Sequence, residues 1–181
     1  MEQQHIQQAY VGKRAPAFEL EGLSPEGDFK KYSLESQKGK WVVLFFYPLD
    51  FTFVCPTEIT AFNEAKAEFD KINTQIIGMS VDSVFSHKAW MEGVLGQMDF
   101  PMASDMTKEI SYQYGVLIEE QGISLRGAFV IDPDGILKMA VVHDNNIGRN
   151  VEEIIRVVQA CQTGELCPVG WKPGGKTLGK A

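Results

Sequence analysis

The stretch GKWVVLFFYP, at residues 39–48, constrains the fold of this chain more than any other feature. From Trp41 to Tyr47 the side chains are apolar without a break, and Gly39 and Pro48 bound the run. A short apolar run of this kind is typical of a β-strand that is buried on both faces. Such a strand lies inside a sheet that is covered by helices, so the run predicts an α/β protein.

Helices and strands alternate along the rest of the chain. The opening stretch VGKRAPAFELEGL is predicted to be extended, because Pro16 bars a helix there, and apolar residues recur at helical spacing between Thr57 and Ile72. The remaining predicted elements are a strand at QIIGMSVD, a helix at SVFSHKAWMEG capped by Asp82 or Ser83, a short helix at TKEISYQYG, a hairpin at GAFVIDPDGILKMAVVH that turns at DPDG, and an amphipathic helix at NVEEIIRVVQAC that begins after Asn150.

This order of elements resembles the thioredoxin fold. We therefore predict a thioredoxin-like α/β domain over residues 1–163, with a central mixed β-sheet that is flanked by helices. The tail GELCPVGWKPGGKTLGKA has prolines, many glycines and no apolar periodicity. It predicts an extended C-terminal arm over residues 164–181 rather than part of the core.

Charge and composition exclude several classes of partner. The chain has 181 residues and a net charge of −7, which disfavours nucleic acid and anionic membranes as partners. The N-terminal stretch MEQQHIQQAY lacks the apolar segment of a signal peptide, so we expect a cytoplasmic location. In that reducing compartment Cys55, Cys161 and Cys167 are not expected to form a static disulfide framework. Core packing, metal binding and redox chemistry remain as their possible roles.

Cys55 stands where a strand gives way to a helix. Pro56 follows it directly, and proline is favoured at the first position of a helix. Unsatisfied backbone N–H groups and the positive end of the helix dipole favour an anion at that place, and therefore the thiolate form of a cysteine. The simpler interpretation is that Cys55 is a small buried apolar residue.

Three motifs resemble those of the peroxiredoxins. The stretch YPLDFTFVCPTE is similar to the motif of their peroxide-reactive cysteine, with Pro48, Thr52 and Cys55 at the matching positions. LRGAFVID is similar to the segment that bears their active-site arginine, which is Arg126 here. GELCPVGWKPG is similar to the segment of the typical two-cysteine subfamily that bears the resolving cysteine, here Cys167. The motifs occur in the family's order and span nearly the whole chain.

The resemblance implies a thiol-dependent peroxidase that reduces hydrogen peroxide and organic hydroperoxides. The Cys55 thiolate would attack the peroxide, while Arg126 would hold the thiolate and donate hydrogen bonds to the substrate. The Thr52 hydroxyl would orient the peroxide, and Pro48 would shield it from water. Because a lower thiol pKa makes the thiolate more abundant but less nucleophilic, we expect most of the rate to come from donors aimed at the peroxide: Arg126, Thr52 and the Cys55 N–H.

The resemblance also assigns supporting roles. Glu58 would hold Arg126 in place, and Arg149 would be a second arginine that supports the first. Cys167 of a partner subunit would trap the Cys55 sulfenic acid as a disulfide across a homodimer, which could assemble further into a decamer. Thioredoxin or a flavin disulfide reductase would then reduce that disulfide. We expect neither a cofactor nor a metal.

Two other residues are predicted to be structural. Cys161 lies among apolar neighbours on the last predicted helix, so core packing is the expected role. Trp90, on the second predicted helix, is expected in the core for the same reason. A zinc site built from Cys161, Cys167 and His143 is an alternative, but its spacing matches no standard zinc finger.

Two further functions stay open from the residues alone. A cysteine hydrolase could use Cys55 with His143 and either Asn145 or Asn146, although nothing else in the sequence supports a protease. A ring-forming chaperone that holds unfolded proteins is the non-enzymatic alternative. The absence of any C-x-x-C pair argues against a thioredoxin-type reductase.

Overall fold

The structure is a computed structural model, and it describes residues 8–180. The strands are β1 (Glu19–Leu23), β2 (Phe29–Ser33), β3 (Trp41–Phe46), β4 (Thr74–Ser80), β5 (Met102–Ser104), β6 (Leu117–Ile118), β7 (Ile123–Ser124), β8 (Arg126–Ile131) and β9 (Leu137–His143). The α-helices are α1 (Cys55–Glu64), α2 (Lys66–Lys71), α3 (Val84–Trp90), α4 (Glu109–Gln113) and α5 (Val151–Gln162). A 3₁₀ turn lies at Glu35–Gln37, and a π turn at Met91–Leu95 extends α3.

A mixed sheet organises the described residues. Its strand order is β2-β1-β5-β4-β3-β8-β9, and β6 pairs separately with β7. β3 runs parallel to β4 on one side and antiparallel to β8 on the other. This arrangement confirms the predicted thioredoxin-like fold with a central mixed sheet.

The central strand β3 is buried on both faces, as its sequence predicts. Val43 and Phe45 point into one core, which also contains residues of α1, α2 and α5. Val42, Leu44 and Phe46 point into the second core, which α4 covers together with the extended segment before β1. Because alternate side chains of β3 enter different cores, every position of the run is apolar.

Most of the predicted elements are present, with caps where the sequence places them. Ser83 caps α3 by accepting a hydrogen bond from the Ser86 N–H, and Asn150 caps α5 in the same way through the Glu153 N–H. The DPDG turn joins β8 to β9. The helix predicted from Thr57 to Ile72 is instead two helices, which meet at Ala65.

Three further expectations concern residues outside the sheet. Trp90 is buried in the first core, as predicted. Cys161 is only half-buried and belongs to neither core, so the expected core role is wrong. The charged groups that affect its thiol are Lys138, Asp132 and Cys167. No helix between residues 8 and 180 is long and apolar enough to span a bilayer.

The C-terminal segment 163–180 contains no helix or strand. It is not fully extended, however. Trp171 is buried, and Leu166 exchanges backbone hydrogen bonds with the segment's end, at Leu178 and Gly179. The arm is therefore folded back on itself. The buried Trp171 side chain anchors it. Residues 1–7 and 181, which the predicted domain and arm include, lie outside the described residues.

Candidate active site

The turn between β3 and α1 carries Cys55 into the first core. Cys55 is the first residue of α1, Pro56 follows in the first turn, and the Cys55 side chain is fully buried. Phe51, in the preceding turn, adopts a left-handed backbone conformation with φ of 56°. The predicted position of Cys55 at a helix N-terminus is thus confirmed. It leaves the Cys55 N–H without an acceptor inside the helix, whereas the Thr57 N–H donates to the Val54 carbonyl at 3.1 Å.

Arg126 reaches Cys55 from the neighbouring strand. It is the first residue of β8, which pairs with β3 so that Ala128 lies opposite Phe45 and the Arg126 side chain lies at the same end of the sheet as the turn. Its Nη1 is 3.4 Å from the Cys55 Sγ, and its Nε donates to the Asn145 carbonyl oxygen at 2.9 Å. Both side chains are buried, so this contact is screened little by solvent.

Glu58 joins Arg126 to a second arginine. Glu58 lies one turn into α1. Its Oε2 accepts hydrogen bonds from Arg126 Nη1 at 2.6 Å and from Arg149 Nη2 at 3.0 Å. Its Oε1 accepts from the Arg149 Nε at 2.8 Å and from the Arg149 backbone N–H at 2.7 Å. Burial alone would raise the pKa of Glu58, but the hydrogen bonds and charge of Arg149, with the charge of Arg126, outweigh it and lower that pKa.

Arg149 is held as firmly as Glu58. Its Nη1 donates to the Phe46 carbonyl at 2.8 Å and also to the Gly127 carbonyl, and its guanidinium lies 5.4 Å from the centre of the Phe45 ring. Both carbonyls belong to the central strands β3 and β8, so the ion network is fixed to the middle of the sheet.

The network has a charge imbalance. Arg126 and Arg149 are both cations, Glu58 is their only carboxylate partner among the described residues, and all three are buried. One positive charge is therefore uncompensated, and the Cys55 sulfur lies against the Arg126 guanidinium. A thiolate at Cys55 would balance this charge in a place where solvent cannot.

The other predicted site residues lie on the turn. Pro48 is buried, and Thr52 is half-buried with its Oγ1 donating to the Leu49 carbonyl at 3.1 Å. That bond uses the hydroxyl proton, so the oxygen is left as an acceptor. Phe51 and Phe53 on the same turn expose their rings. The sequence motif did not predict that these two rings would be exposed while Pro48 is buried.

Cys167 lies in different surroundings. It is half-buried in the arm, with its Sγ 3.7 Å from the Ala160 carbonyl oxygen and 3.5 Å from the Thr163 Oγ1, both near the end of α5. Cys55 and Cys167 are both free thiols. The structure brings Cys55, Arg126, Glu58 and Arg149 together, and it does not bring Cys167 of the same chain to them.

A buried network beneath the turn escaped the sequence analysis. Tyr47 donates its hydroxyl to Asp50 Oδ1 at 2.9 Å, and the His87 Nδ1 lies 2.8 Å from Asp50 Oδ2. The other ring nitrogen of His87 faces the Ala103 carbonyl at 3.3 Å, and the Asp50 N–H donates to Asp82 at 2.8 Å. Both His87 nitrogens therefore lie within hydrogen-bonding distance of oxygen atoms in this buried network.

This second network fixes the turn that carries Thr52 and leads to Cys55. Burial, followed by the charge of Asp50, raises the pKa of Tyr47, which therefore stays a hydrogen-bond donor. Only the presence of Tyr47 and Asp50 within the stretch YPLDFTFVCPTE could have indicated this network, because His87 lies far along the chain on α3.

The alternative sites do not assemble. His143 interacts through its Nδ1 with the Gly148 carbonyl at 3.2 Å, and Asn145 contributes a main-chain carbonyl, not its side chain, to the site. No group of three histidine, cysteine or acidic side chains within residues 8–180 could hold a metal ion. Arg126, not a histidine, occupies the place beside the Cys55 sulfur.

Comparison with known proteins gives one consistent result. Residues 11–140 match the AhpC/TSA family model. The chain is 50% identical over 179 residues to Peroxiredoxin-2 of Bos taurus, covering 94% of this chain and 89% of that protein. It is 51% identical over 179 residues to Peroxiredoxin-1 of Gekko japonicus, covering 94% of this chain and 90% of that protein. The structure is similar to the reduced 2-Cys peroxiredoxin of Plasmodium vivax, with a TM-score of 0.91, 39% identity and coverage of 93% and 92% of the two chains.

Proposed function

The chain belongs to the AhpC/TSA family and is a thiol-dependent peroxidase of the peroxiredoxin type, and we propose that Cys55 is its peroxide-reactive residue. The observation that carries this assignment is the 3.4 Å contact between the Cys55 sulfur and Arg126, within a buried network that has one surplus positive charge. The surplus favours the thiolate, which is the form that attacks peroxides.

The reaction uses groups that the site already contains. The Cys55 thiolate attacks one peroxide oxygen, so that an S–O bond forms, the O–O bond breaks and the sulfur is oxidised to a sulfenic acid. The leaving oxygen departs as hydroxide or alkoxide and takes up a proton, giving water or an alcohol. Arg126 and the Cys55 N–H stabilise the charge on the reacting oxygens, and this stabilisation supplies most of the rate.

The remaining residues position the substrate. The Thr52 oxygen accepts a hydrogen bond from the hydroperoxide O–H, because its own hydroxyl donates to the Leu49 carbonyl. Pro48 shields the sulfur from water. Glu58 orients the Arg126 guanidinium through one charge-assisted hydrogen bond, and Arg149 fixes the Glu58 carboxylate through two more.

Resolution then needs a second subunit. Cys167 of the partner subunit attacks the Cys55 sulfenic acid, an S–S bond forms and water leaves. The arm supports this role, because it has no regular secondary structure and its backbone is largely exposed. We propose a homodimer that assembles further into a decamer, with thioredoxin or a flavin disulfide reductase as the electron donor. The cytoplasmic location and the division at residue 163/164 remain predictions from the sequence.

The test is a non-reducing gel of protein that is alkylated within seconds of adding one equivalent of hydrogen peroxide. We expect a covalent dimer from the wild-type chain and none from Cys55→Ser or Cys167→Ser. Cys55→Ser should also consume no peroxide, whereas Cys167→Ser should consume one equivalent and stop as a sulfenic acid that a dimedone probe labels. Peroxide consumption by Cys55→Ser at the wild-type rate would overturn the assignment.

A further inference from the structure

Cys161 is a thiol that the proposed function does not use. It is half-buried near the C-terminal end of α5, and the end of that helix brings the arm back towards it. The Thr163 N–H donates to the Ala160 carbonyl at 3.2 Å and the Gly164 N–H to the Cys161 carbonyl at 3.3 Å. Gly164 has a φ of 63°, a conformation that reverses the chain and that glycine adopts without strain.

The reversal places Cys167 beside the last turn of α5. Its sulfur is 3.7 Å from the Ala160 carbonyl oxygen, and that oxygen lies about 2.8 Å from the next Cα, so the sulfur is within roughly 6.5 Å of the Cys161 Cα. Disulfide-bonded cysteines have Cα atoms about 4.4–6.8 Å apart. Because the bound of roughly 6.5 Å joins the Cys167 sulfur to the Cys161 Cα, the arm has to carry the Cys167 backbone closer to the last turn of α5 before the two sulfur atoms can bond. Most arm residues are exposed and none lies in a helix or strand, so the arm can make this movement without breaking regular secondary structure.

The electrostatics agree with this proximity. Burial raises the pKa of Cys161, the Lys138 cation opposes that rise, and the charges of Cys167 and Asp132 add to it. Lys138 belongs to β9, Asp132 to the β8–β9 turn and Cys167 to the arm. Each of these three parts of the chain therefore affects the pKa of Cys161. A thiol with a raised pKa stays protonated at neutral pH and resists direct oxidation by peroxide, but it forms a stable disulfide when it displaces a better leaving thiolate.

We infer that Cys161 is a second exchange thiol, which attacks the Cys167 sulfur of the intersubunit disulfide and releases Cys55. The inference rests on the proposed function. Cys161 loses its proton, its sulfur forms a bond with Cys167 of the same chain, and the Cys55–Cys167 bond breaks with its electron pair on Cys55. No external oxidant or reductant takes part, because one disulfide replaces another.

The direction of exchange follows from the two environments. Cys55 leaves as a thiolate beside Arg126, whose positive charge stabilises it, whereas Cys161 has no guanidinium partner among the interactions described for it. Exchange therefore proceeds towards the intrachain Cys161–Cys167 disulfide. Cys55 is then free to reduce a second peroxide before any reductant arrives.

The first test is mass spectrometry of wild-type protein after one equivalent of hydrogen peroxide, alkylation and trypsin digestion. Both cysteines fall in the single peptide 157–176, since trypsin cleaves poorly at Lys172 before Pro173. We expect this peptide about 2 Da lighter than its reduced form and unalkylated, increasing as the covalent dimer on the gel decays to monomer. The light peptide should be absent from Cys55→Ser, because no disulfide forms there to be exchanged.

The second test is the amount of peroxide consumed without reductant. The wild-type chain should consume about two equivalents per subunit, and Cys161→Ser or Cys161→Ala about one, a twofold difference. A covalent dimer that forms but persists equally in wild type and both variants, with no light peptide, overturns the exchange and leaves the proposed function intact. Failure to form any covalent dimer contradicts the proposed function instead.

Discussion

The surroundings of Cys55 and of Cys167 differ in almost every physical property. Cys55 is fully buried at the start of a helix and lies against an ion network that is hydrogen-bonded to the two central strands. Cys167 is half-buried in a segment without regular secondary structure, where Val169 is fully exposed and Trp171 is the only described side chain that is buried. The two thiols that we propose to react together therefore lie in a highly constrained and a weakly constrained part of the described chain.

The difference corresponds to two separate physical requirements. A donor that stabilises a transition state must be held to within a few tenths of an ångström, which demands packing and a complete set of hydrogen bonds. A thiol that has to meet a buried sulfur must move, which demands that local opening cost much less than global unfolding. A substitution in one of these regions therefore tests whether the other region depends on it.

The largest effect is expected from Glu58→Gln. This change leaves two buried guanidinium groups without a carboxylate, and loss of one partner of a buried ion pair costs about 3–5 kcal/mol. We expect urea denaturation to show a loss of that size in the free energy of unfolding. Peroxide turnover should fall about 100-fold or more, because Arg126 loses its orientation.

Glu153→Gln is the matched control for that experiment. Glu153 pairs with Arg156 through two hydrogen bonds of similar length, but on the exposed face of α5. An exposed pair contributes at most about 1 kcal/mol, so the control should cost little stability and no turnover. Equal losses in the two variants would mean that burial does not distinguish the two ion pairs.

A smaller effect is expected from Asp50→Asn, which changes the network beneath the turn. The substitution keeps the shape of the side chain and removes the charge that faces His87, so we expect a loss of about 2 kcal/mol in unfolding free energy. The turn that carries Thr52 should also loosen, and kcat/KM for peroxide should fall about tenfold. Tyr47→Phe removes one hydrogen bond of the same network and should cost only about 1 kcal/mol.

The sequence predicts the centre of the molecule better than its edges. The run Trp41 to Tyr47 identifies the central strand because burial on both faces leaves no polar position. By contrast β2, with the sequence FKKYS, is a half-exposed edge strand whose apolar pattern is too weak to recognise. β5 has only three residues, and it is a strand because β1 and β4 pair with it, not because of its own composition.

The site shows the same limit. Arg126, Glu58 and Arg149 could be named from motifs, but the charge imbalance depends on how they meet in space. His87 could not be found at all, because its partners Asp50 and Ala103 lie on other elements and no local pattern connects them. Cys161 shares a face of α5 with Val157 and Val158, but it lies in the last turn of the helix, where that face is no longer part of the core, so the apolar spacing alone gave the wrong burial.

The third prediction concerns acid. The folded-state pKa of Glu58 is lowered, so its contribution to stability is complete above the ordinary value of 4.5 and is lost as pH falls through the folded-state value. The stability difference between wild type and Glu58→Gln should therefore be constant near neutral pH and should narrow below pH 4.5, by about 1.4 kcal/mol for each unit by which the pKa is lowered. Urea denaturation of both proteins between acid and neutral pH measures it. A gap that widens on acidification would have the wrong sign.

The smallest effect on global stability is expected from Trp171→Ala, which changes the arm alone. The Trp171 indole is buried, its Nε1–H donates to the Gly175 carbonyl at 3.1 Å, and its own carbonyl accepts from Arg156 Nη1 at 3.0 Å. Losing the indole removes about 2 kcal/mol of stabilisation by apolar burial. This loss affects the free energy of docking the arm and not that of unfolding the sheet. The unfolding free energy should change by less than about 0.5 kcal/mol, because the sheet and both cores keep their contacts.

The local response should be much larger than the global one. An undocked arm exposes Cys167, so we expect its alkylation by iodoacetamide in the native protein to accelerate about tenfold or more. The intersubunit disulfide should also form faster after a peroxide pulse. Val169→Ala is the matched control, since that side chain is fully exposed and anchors nothing. If Trp171→Ala instead destabilises the whole chain as much as Glu58→Gln does, the arm is part of the folded core and the contrast between the two thiols disappears.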